Sequence, residues 1–314
     1  MAKVPRIAVV GVVVQDRIER ADGSTATGLG GLAYSVSALA ALGGADVEVL
    51  PVCRVADDTR EAIELEWDRY PNVSKEALLA WSGPGSRVDL IYRSGGAVGG
   101  DRDERLRWPT PPLERAEIEP LLECDAILIN CITGAVLTRS ALRVVAGLPV
   151  PIHLDVHSLV LGIDPAGRRY PRRPADWRTW LEAADSLQCN EQEASILAGE
   201  RHWNRAAEGF IRGLVDSRIG PRLVIVTRAA KGASLYRTGR LPLDLEARRV
   251  DIVDPTGAGD AFGAAFVVER LRGATAGIAV RRAVETATAS CRLQGTRALS
   301  SLPRAARTAR ARGY

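Results

Sequence analysis

The sequence predicts an α/β fold in which a central, mostly parallel sheet is covered by helices on both faces. Short runs of apolar, largely β-branched residues alternate along the chain with helical segments. These runs are almost continuously hydrophobic, which is typical of strands that are buried on both faces of a parallel sheet. The predicted strands are residues 7–14, 47–52, 126–130, 152–155, 186–189, 223–227 and 250–253.

Polar residues lie at or just past the ends of these strands. Parallel sheets bind ligands at the carboxyl ends of their strands, so residues that are far apart in the sequence meet there. We therefore expect one rim to collect Asp16, Asn130, Asp155, Asn190, Thr227 and Asp254.

Two segments depart from the alternation of strands and helices. Residues 15–27 are polar around Asp22-Gly23, which is a strong hairpin signal, and residues 87–92 form a strand-like run. The glycine-rich loop at 95–100 is predicted to be a flexible connection rather than a second phosphate site, because no helix N-terminus follows it directly. No repeat or interdomain linker is evident, so we expect a single domain over residues 1–314.

Gly30 and Gly31 precede an apolar helix predicted over residues 32–42. Residues 28–33 also match Gly-x-Gly-x-x-Ala, a dinucleotide-binding pattern, with Glu48 as a ribose ligand. That pattern needs its glycines in the tight turn that leaves the first strand, whereas a predicted hairpin intervenes here. A dinucleotide-dependent oxidoreductase is therefore only an alternative. The P-loop class is excluded, because the sequence has no Gly-x-x-x-x-Gly-Lys-[Ser/Thr].

Asn190 and Glu193 have the spacing of a capping box at the start of a helix. The same pair could also order a hydrated Mg²⁺, since hard cations that keep their waters favour such oxygen atoms. Asp57-Asp58 is predicted to be a solvated turn rather than a metal site, because neighbouring residues tend to point apart.

Residues 254–262, Asp-Pro-Thr-Gly-Ala-Gly-Asp-Ala-Phe, form the most informative segment and open an apolar helix. Gly257 and Gly259 allow a ligand to approach the backbone closely, because neither has a Cβ atom. Free N–H groups and the positive end of the helix dipole then favour an anion. Asp260 is interpreted as a base that takes a proton from an attacking hydroxyl. The simpler alternative is a favourable helix N-terminal charge.

Residues 254–260 resemble the second signature of the ribokinase-like, or PfkB-type, carbohydrate kinases. Four earlier segments, at 11–16, 30–42, 190–193 and 224–232, also resemble family elements and stand in the family's order, so the resemblance covers nearly the whole chain. It implies a three-layer ribokinase-like fold in which segments near 15–30 and 87–107 form a small β lid over the sugar. It also implies an ATP-dependent kinase that uses Mg²⁺ and phosphorylates a hydroxyl of a small sugar, sugar derivative or nucleoside.

The resemblance further implies a role for each matching residue. Asp260 is the catalytic base, and the anion hole is formed by Gly257, Ala258 and Gly259. The acceptor is contacted by Asp16, Gly30, Gly31, Ser35 and Asp260. ATP is contacted by Asn190, Glu193, Thr227, Arg228, Lys231, Gly232 and Gly259, with Glu193 holding Mg²⁺ through water. Many members bind K⁺ in the stretch that here contains Asp254 and Thr256.

Three positions depart from the family's pattern. Ser35 replaces the usual Asn of the first signature, Ala229 replaces the middle Gly of the nucleotide turn, and residues 55–58 replace a Gly-x-Asp. These departures leave Asp260 and the anion hole unchanged. They motivate a second alternative, a relative that binds the ligand without catalysis.

The composition is that of an ordinary globular protein, with 46% hydrophobic and 25% charged residues. The net charge is +4, and basic residues concentrate at 304–314, a tail predicted to be solvated rather than to bind nucleic acid or lipid. Five cysteines without metal-ligand spacing predict a reducing compartment. With no membrane-length apolar run and no export signal, we expect a cytoplasmic protein, and exposed lid strands would allow a homodimer.

The three histidines are not predicted to be catalytic. We expect His153 to point into the packing of the sheet and His202 to lie in a surface helix. His157 follows Asp155 in a rim loop, where it either contacts the acceptor or is an ordinary polar loop residue. A nucleophilic triad is excluded because no Gly-x-Ser-x-Gly occurs.

Overall fold

The computed structural model describes residues 3–93 and 102–311. Its strands are β1 (Arg6–Val10), β2 (Val13–Glu19), β3 (Thr25–Gly31), β4 (Glu48–Ala56), β5 (Leu78–Trp81), β6 (Arg87–Tyr92), β7 (Arg102–Arg107), β8 (Ala126–Asn130), β9 (Ile152–Asp155), β10 (Leu161–Ile163), β11 (Arg169–Pro171), β12 (Ser186–Asn190), β13 (Leu223–Thr227), β14 (Ala233–Arg237) and β15 (Leu243–Leu245). Its helices are α1 (Leu32–Gly43), α2 (Asp57–Trp67), α3 (Arg139–Val145), α4 (Trp177–Glu182), α5 (Glu191–Ala198), α6 (Arg205–Asp216), α7 (Ala258–Leu271), α8 (Ala276–Ser290), α9 (Gly295–Ala298) and α10 (Leu302–Ala311).

Nine of the described strands form one sheet in the order β15-β14-β13-β12-β9-β8-β1-β4-β5. The strands from β13 to β5 run parallel to their neighbours, and β14 and β15 add an antiparallel edge. A second sheet has the order β3-β2-β6-β7, and β10 pairs with β11. The predicted α/β class with a mostly parallel sheet is confirmed.

Both faces of the large sheet are buried, as its continuous hydrophobicity predicted. In β1, Ile7 and Val9 belong to the core cluster on one face, while Ala8 and Val10 belong to the cluster on the other. Side chains of α1, α7 and α8 fill the first cluster, and those of α3, α5 and α6 fill the second. The sheet is therefore the middle layer of three, and the loops at its strand ends are left to form the site.

The predicted strand at 7–14 is divided into β1 and β2 by Gly11. A Cβ atom at Gly11 would lie 2.9 Å from the carbonyl oxygen of Asn130, so the chain passes too close to β8 for a side chain. Beyond this point the chain leaves the large sheet and enters the small one. The hairpin predicted at Asp22-Gly23 joins β2 to β3, with Gly23 at a φ of 80°.

The dinucleotide interpretation of residues 28–33 is wrong. Gly28 and Gly30 lie within β3, which pairs antiparallel with β2. These glycines therefore do not form the turn between a parallel strand and its crossover helix that a dinucleotide site requires.

The strand predicted at 250–253 is absent from the described residues. This segment is a loop in which Ile252 and Val253 are 46% and 62% exposed. The N–H groups of Val253 and Asp254 donate to the carbonyl oxygen of Cys291, just past α8, at 2.8 and 3.1 Å. Hydrogen bonds to the end of a helix thus replace a strand pairing, and the antiparallel edge is supplied by β14 and β15, which the sequence did not reveal.

Three smaller expectations also differ from the structure. Asp57 and Asp58 are exposed but begin α2 rather than a turn, a position where their charge favours the helix dipole. His202 is exposed in a bend between α5 and α6 rather than in a helix. The start of the predicted tail belongs to α10, where Leu302 and Ala306 are buried.

The glycine loop at 95–100 and the last part of the tail, from 312 onward, lie outside the described residues. Within the described ranges, the structure contains no helix that combines the length and the hydrophobicity needed to cross a membrane.

Candidate active site

The carboxyl edge of the large sheet brings polar residues together from separate parts of the chain. Asn130 at the end of β8 pairs in register with Asp155 at the end of β9. Asn190 at the end of β12 likewise pairs with Thr227 at the end of β13. The predicted rim therefore exists for these four residues.

The turn before α7 depends on glycine at position 257. Gly257 has a φ of 75°, a left-handed conformation, and a Cβ atom there would lie 2.1 Å from Cδ1 of Tyr34. Gly259 is different, because a Cβ atom there would meet only Nε2 of Gln188, at 3.7 Å. The space beside Gly259 is open, which leaves room for a ligand against the first turn of α7.

The backbone amides of this turn are only partly used within the protein. The Ala258 N–H donates to the carbonyl oxygen of Pro255 at 3.2 Å. In the described part of the chain, the N–H groups of Gly257 and Gly259 have no backbone acceptor. Of the three predicted anion-hole residues, these two glycines thus retain donors for a ligand.

Asp260 lies in the first turn of α7 and is only 8% exposed. Its Oδ1 atom accepts hydrogen bonds from the Ser35 hydroxyl at 2.6 Å and from Nδ2 of Asn130 at 2.7 Å. The same Nδ2 also donates to Ser35 Oγ at 3.0 Å, which closes a triangle of buried groups. Burial raises the pKa of Asp260 to about 6, although both hydrogen bonds act to lower it.

Two further carboxylates lie near Asp260. Burial, followed by the charges of Glu193 and Asp260, raises the pKa of Asp155 well above its usual value. Burial also raises the pKa of Glu193 to about 7. A cation at this edge would offset the repulsion and favour the ionised carboxylates.

The capping box predicted at the start of α5 is confirmed. The Asn190 N–H donates to Oε2 of Glu193 at 2.9 Å, and the Glu193 N–H donates to Oδ1 of Asn190 at 2.9 Å. The Asn190 amide also donates to the other oxygen of Glu193 at 2.7 Å. Both oxygens of Glu193 are therefore fixed at the sheet edge. Among the described residues, no cluster of three or more His, Cys, Asp or Glu side chains could hold a metal directly.

The turn after β13 has the tight backbone that the nucleotide-turn pattern predicts. The Arg228 N–H donates to the carbonyl oxygen of Gly232 at 2.7 Å. Gly232 has a φ of 93°, and a Cβ atom there would lie 2.0 Å from the carbonyl oxygen of Leu245. Ala229 has a φ of 47°, a conformation that costs a residue with a side chain more than glycine. Glycine at this position would adopt the same conformation without strain, whereas Ala229 adopts it at a cost.

The side chains of this turn are held unequally. Arg228 forms an ion pair with Asp244 at 3.2 Å, and the Thr227 hydroxyl donates to the carbonyl oxygen of Cys189 at 3.5 Å. Lys231 is exposed at the surface. Of the two basic side chains predicted to contact ATP, Arg228 is thus tied to the protein.

A cavity of about 300 Å³ is lined by the segment at 245–250, by α8 and the residues just past it, and by α10. Leu245 in its wall adjoins Gly232, and Arg292 follows the Cys291 carbonyl that binds residues 253 and 254. The sequence did not reveal this cavity, because its walls come from several segments. They comprise Leu245, Glu246, Arg248, Arg249, Val250, Arg281, Val284, Glu285, Thr288, Ala289, Arg292 and Ala305.

The predicted acceptor residues meet in the small sheet and at the start of α1. Asp16 lies within β2 rather than past the end of β1, and a Cβ atom at Gly30 would lie 1.9 Å from its Oδ2. Gly31 has a φ of 60° and a built Cβ atom 2.7 Å from the carbonyl oxygen of Val12. Both glycines are therefore required by close contacts within the protein, and Gly30 fixes where the Asp16 carboxylate lies.

Tyr34 joins the acceptor residues to the turn before α7. Its ring packs against Gly257, and the side chain is 7% exposed. Burial raises the pKa of Tyr34, and the charges of Asp254, Asp16 and Asp260 raise it further. The hydroxyl therefore stays protonated near all three carboxylates.

The predicted K⁺ stretch forms a local turn. Oδ1 of Asp254 accepts a hydrogen bond from the Thr256 N–H at 2.9 Å, and Pro255 between them has no N–H. Asp254 follows a loop rather than the predicted strand. One carboxylate oxygen is thus committed to the turn.

His153 has the packing role that the sequence predicted. It is 3% exposed, its Nδ1 lies 2.8 Å from the Ser186 hydroxyl, and burial lowers its pKa to about 4. His157 follows Asp155 with a φ of 37°, and its Nδ1 lies 2.9 Å from Ser158 Oγ. His153 is therefore neutral and structural.

Four residues near Asp260 were not predicted as site residues. Asn130 and Asp155 were placed on the rim without a role, and Tyr34 and Gln188 were not singled out. Gln188, inside β12, donates to the carbonyl oxygen of Gly259 at 2.9 Å. A polar residue inside or at the end of an otherwise apolar strand was the available signal for Asn130 and Gln188.

Residues 164–304 match the family model described as pfkB family carbohydrate kinase. A cytidine kinase of Thermococcus kodakarensis is 26% identical over 287 residues, which cover 90% of this chain and 94% of the relative. Two solved structures share the fold. One is a pyrophosphate-dependent kinase in the ribokinase family, with a TM-score of 0.80, 19% identity and coverage of 95% of this chain and 99% of the other. The second is Arabidopsis thaliana ribokinase complexed with ribose and ATP, with a TM-score of 0.74, 20% identity and coverage of 97% and 99%.

We predict that Gly257→Ala lowers stability while Gly259→Ala does not. Alanine at 257 must adopt a φ of 75° and displace Tyr34, at a cost of about 1–3 kcal/mol. Alanine at 259 meets no close contact and favours the helix. Urea unfolding of the two variants measures the difference, and equal stability would contradict this account of the turn.

Proposed function

We propose that this chain is a ribokinase-like kinase of the PfkB type and that it transfers the γ-phosphoryl group of ATP to a hydroxyl of a small sugar, sugar derivative or nucleoside. The observation that carries the proposal is the position of Asp260. This buried carboxylate lies in the first turn of α7, beside glycine amides that have no backbone acceptor in the described chain. Such an arrangement combines a general base with an anion site.

The proposed reaction is an in-line phosphoryl transfer. The acceptor oxygen attacks the γ-phosphorus while its proton passes to Asp260, and the bond from that phosphorus to the bridging oxygen breaks so that ADP leaves. The Ser35 and Asn130 bonds both fall on Oδ1, so Oδ2 of Asp260 is the oxygen that accepts this proton. The amides of Gly257 and Gly259, with the helix dipole, stabilise the charge on the transferred group.

We propose that Mg²⁺ binds at this edge of the sheet mainly through its own waters, since the described residues form no cluster that could hold it directly. Asp155, Glu193 and Asn190 supply hard oxygen atoms, and Mg²⁺ usually keeps several of its waters in such sites. We propose that Glu193, fixed by Asn190, orders a water on the metal. When bound, the metal neutralises charge on the phosphates.

We propose that the donor lies along the turn after β13. Thr227, Lys231 and the backbone through Gly232 would contact its phosphates, and the cavity of about 300 Å³ would hold the part of ATP that is not transferred. The cavity is lined by four arginines and two glutamates, so its charge is positive. Because one solved neighbour is described as pyrophosphate-dependent, inorganic pyrophosphate is a necessary comparison donor.

We propose that the acceptor is held by Asp16 together with the backbone at Gly30 and Gly31. A carboxylate fixed against glycine is suited to bind sugar hydroxyls. Ser35 would influence the acceptor indirectly, through Asp260. Its hydroxyl already donates to that carboxylate. The small sheet would then act as the lid over the acceptor.

We also propose a cytoplasmic location and a homodimer. All five cysteines are free, which suits a reducing compartment. The small sheet has two edge strands, β3 and β7, either of which could pair with a second copy. Light scattering on the purified protein measures the oligomeric state, and a monomer at micromolar concentration would contradict the dimer.

A phosphorylation screen tests the proposed function directly. Pentoses, hexoses, sugar acids and nucleosides are each incubated with the protein, Mg²⁺, and either ATP or pyrophosphate, and the phosphorylated product is measured. We expect one acceptor class to give ATP-dependent product. Thermal stabilisation by an acceptor without any product would instead indicate a binding protein that lacks catalysis.

We predict that Asp260→Asn lowers kcat by about 10²–10⁴-fold without loss of folding. An amide cannot take the proton, but it has the same shape and removes a buried charge. Wild-type kcat/KM should fall as the pH drops below about 6, because the base then becomes protonated. Asp125→Asn is the control, since that carboxylate accepts the Arg6 N–H at the opposite end of the sheet. Near-normal turnover in folded Asp260→Asn would reject the assignment.

We predict that K⁺ raises turnover if Asp254 and Thr256 hold a monovalent cation. Turnover is measured in matched K⁺, Na⁺ and choline buffers, with higher rates expected in K⁺. Asp254→Ala should remove the difference, because it removes the carboxylate of the proposed site. Equal rates in the three buffers for the wild type would reject a cation role.

A further inference from the structure

Asn130 reaches the base from the last position of β8, on the sheet rather than on a loop. It is 1% exposed, as is its partner Ser35 in α1. Its Nδ2 group donates to Oδ1 of Asp260 at 2.7 Å and to Ser35 Oγ at 3.0 Å. Both donors of this amide nitrogen are thus used next to the carboxylate.

The two hydrogen bonds to Asp260 converge on one oxygen. Ser35 donates to Oδ1 at 2.6 Å and Asn130 donates to the same atom at 2.7 Å. One donor comes from a helix and the other from the middle layer of the fold. A carboxylate that is held in this way cannot rotate without breaking both bonds, so the direction of Oδ2 is fixed.

We propose that Asn130 is a positioning residue which, together with Ser35, aims Oδ2 of Asp260 at the acceptor hydroxyl and keeps the carboxylate ionised. The proposal rests on the proposed kinase function, and it assigns a role to a residue outside the family signatures. Asn130 acts only through Asp260, so it is not itself a catalytic residue.

The cost of keeping an amide at this position supports the proposal. Within the described residues, Oδ1 of Asn130 is buried and has no hydrogen-bond partner. Burying an unsatisfied oxygen is unfavourable, and an apolar side chain at the end of β8 would avoid it. Packing alone therefore does not explain the amide, whereas the two bonds made by its nitrogen do.

The titratable groups around Asp260 come from several elements. Asp155 from β9 interacts with Asp260, and Glu193 from α5 interacts with Asp155. Tyr34 from α1 is protonated, and His153 from β9, which packs near α7, is neutral because burial lowers its pKa to about 4. Donors to Oδ1 favour the ionised form, so their loss raises the pKa of Asp260 above about 6.

The test compares pH profiles of Asn130→Ala, Ser35→Ala and the isosteric Asn130→Asp with the wild type. Losing one donor should move the acid limb of kcat/KM upward by about one pH unit. In Asn130→Ala, the larger protonated fraction of Asp260 should lower kcat/KM about fivefold at pH 6. This loss should disappear by pH 8, where the carboxylate is ionised in both proteins. Asn130→Asp should shift the limb further, because it places a second carboxylate beside the base. The KM for ATP should stay within about twofold.

Asn72→Ala is the matched control. Its amide also donates two hydrogen bonds, to the carbonyl oxygens of Ala40 at 3.1 Å and Val47 at 3.0 Å, away from the site. This variant should lose stability without a change in the pH profile. Thermal unfolding of every variant separates folding defects from changes in the base.

Three results would overturn the proposal. The first is an acid limb that stays in place in folded Asn130→Ala and Asn130→Asp. The second is a pH-independent loss equal to that of the control. The third is a rise in the KM of the acceptor alone, which would make Asn130 an acceptor contact. A wild-type protein without phosphotransfer would reject the kinase function, and an NMR titration of the Asp260 carboxyl in wild type and Asn130→Ala would still test the hydrogen bonds.

Discussion

The burial of one carboxylate at the edge of the large sheet is the constraint on which the arrangement of the candidate site depends. Asp260 is 8% exposed, and burial is the largest influence on its pKa. Two neutral donors at 2.6 and 2.7 Å compensate this burial, one from α1 and one from β8. The three elements must therefore meet within hydrogen-bond distance, and the sheet with its two packed faces holds them there.

The helix that carries Asp260 is anchored by its apolar residues. Phe262 and Phe266 of α7 are 2% exposed, and the ring of Phe266 lies 4.9 Å from that of the neutral His153. The first turn, in contrast, has spare amides and open space beside Gly259. The packed part of α7 thus holds its polar first turn in place, as the proposed reaction requires.

The sequence predicted the layers of the fold well and the contacts of the site poorly. Buried strands such as β8 and β13 were located because apolar residues run through them almost without interruption. The segment at 250–253 is also rich in β-branched residues but is a loop, since the N–H groups of Val253 and Asp254 donate to the carbonyl oxygen of Cys291 past the end of α8. The bond from Asn130 to Asp260 joins residues 130 positions apart, so no local pattern reveals it. Signature residues were found from short spacing, whereas their supporting partners depend on packing.

The contact between Tyr34 and Gly257 links α1 to the turn before α7. The Tyr34 ring occupies the volume that any side chain at 257 would need. The two positions should therefore change together in evolution, because the Tyr34 ring in α1 leaves room only for glycine at position 257. Substitution at position 34 is therefore linked to the turn before α7, and related chains should show correlated change at this pair of sites.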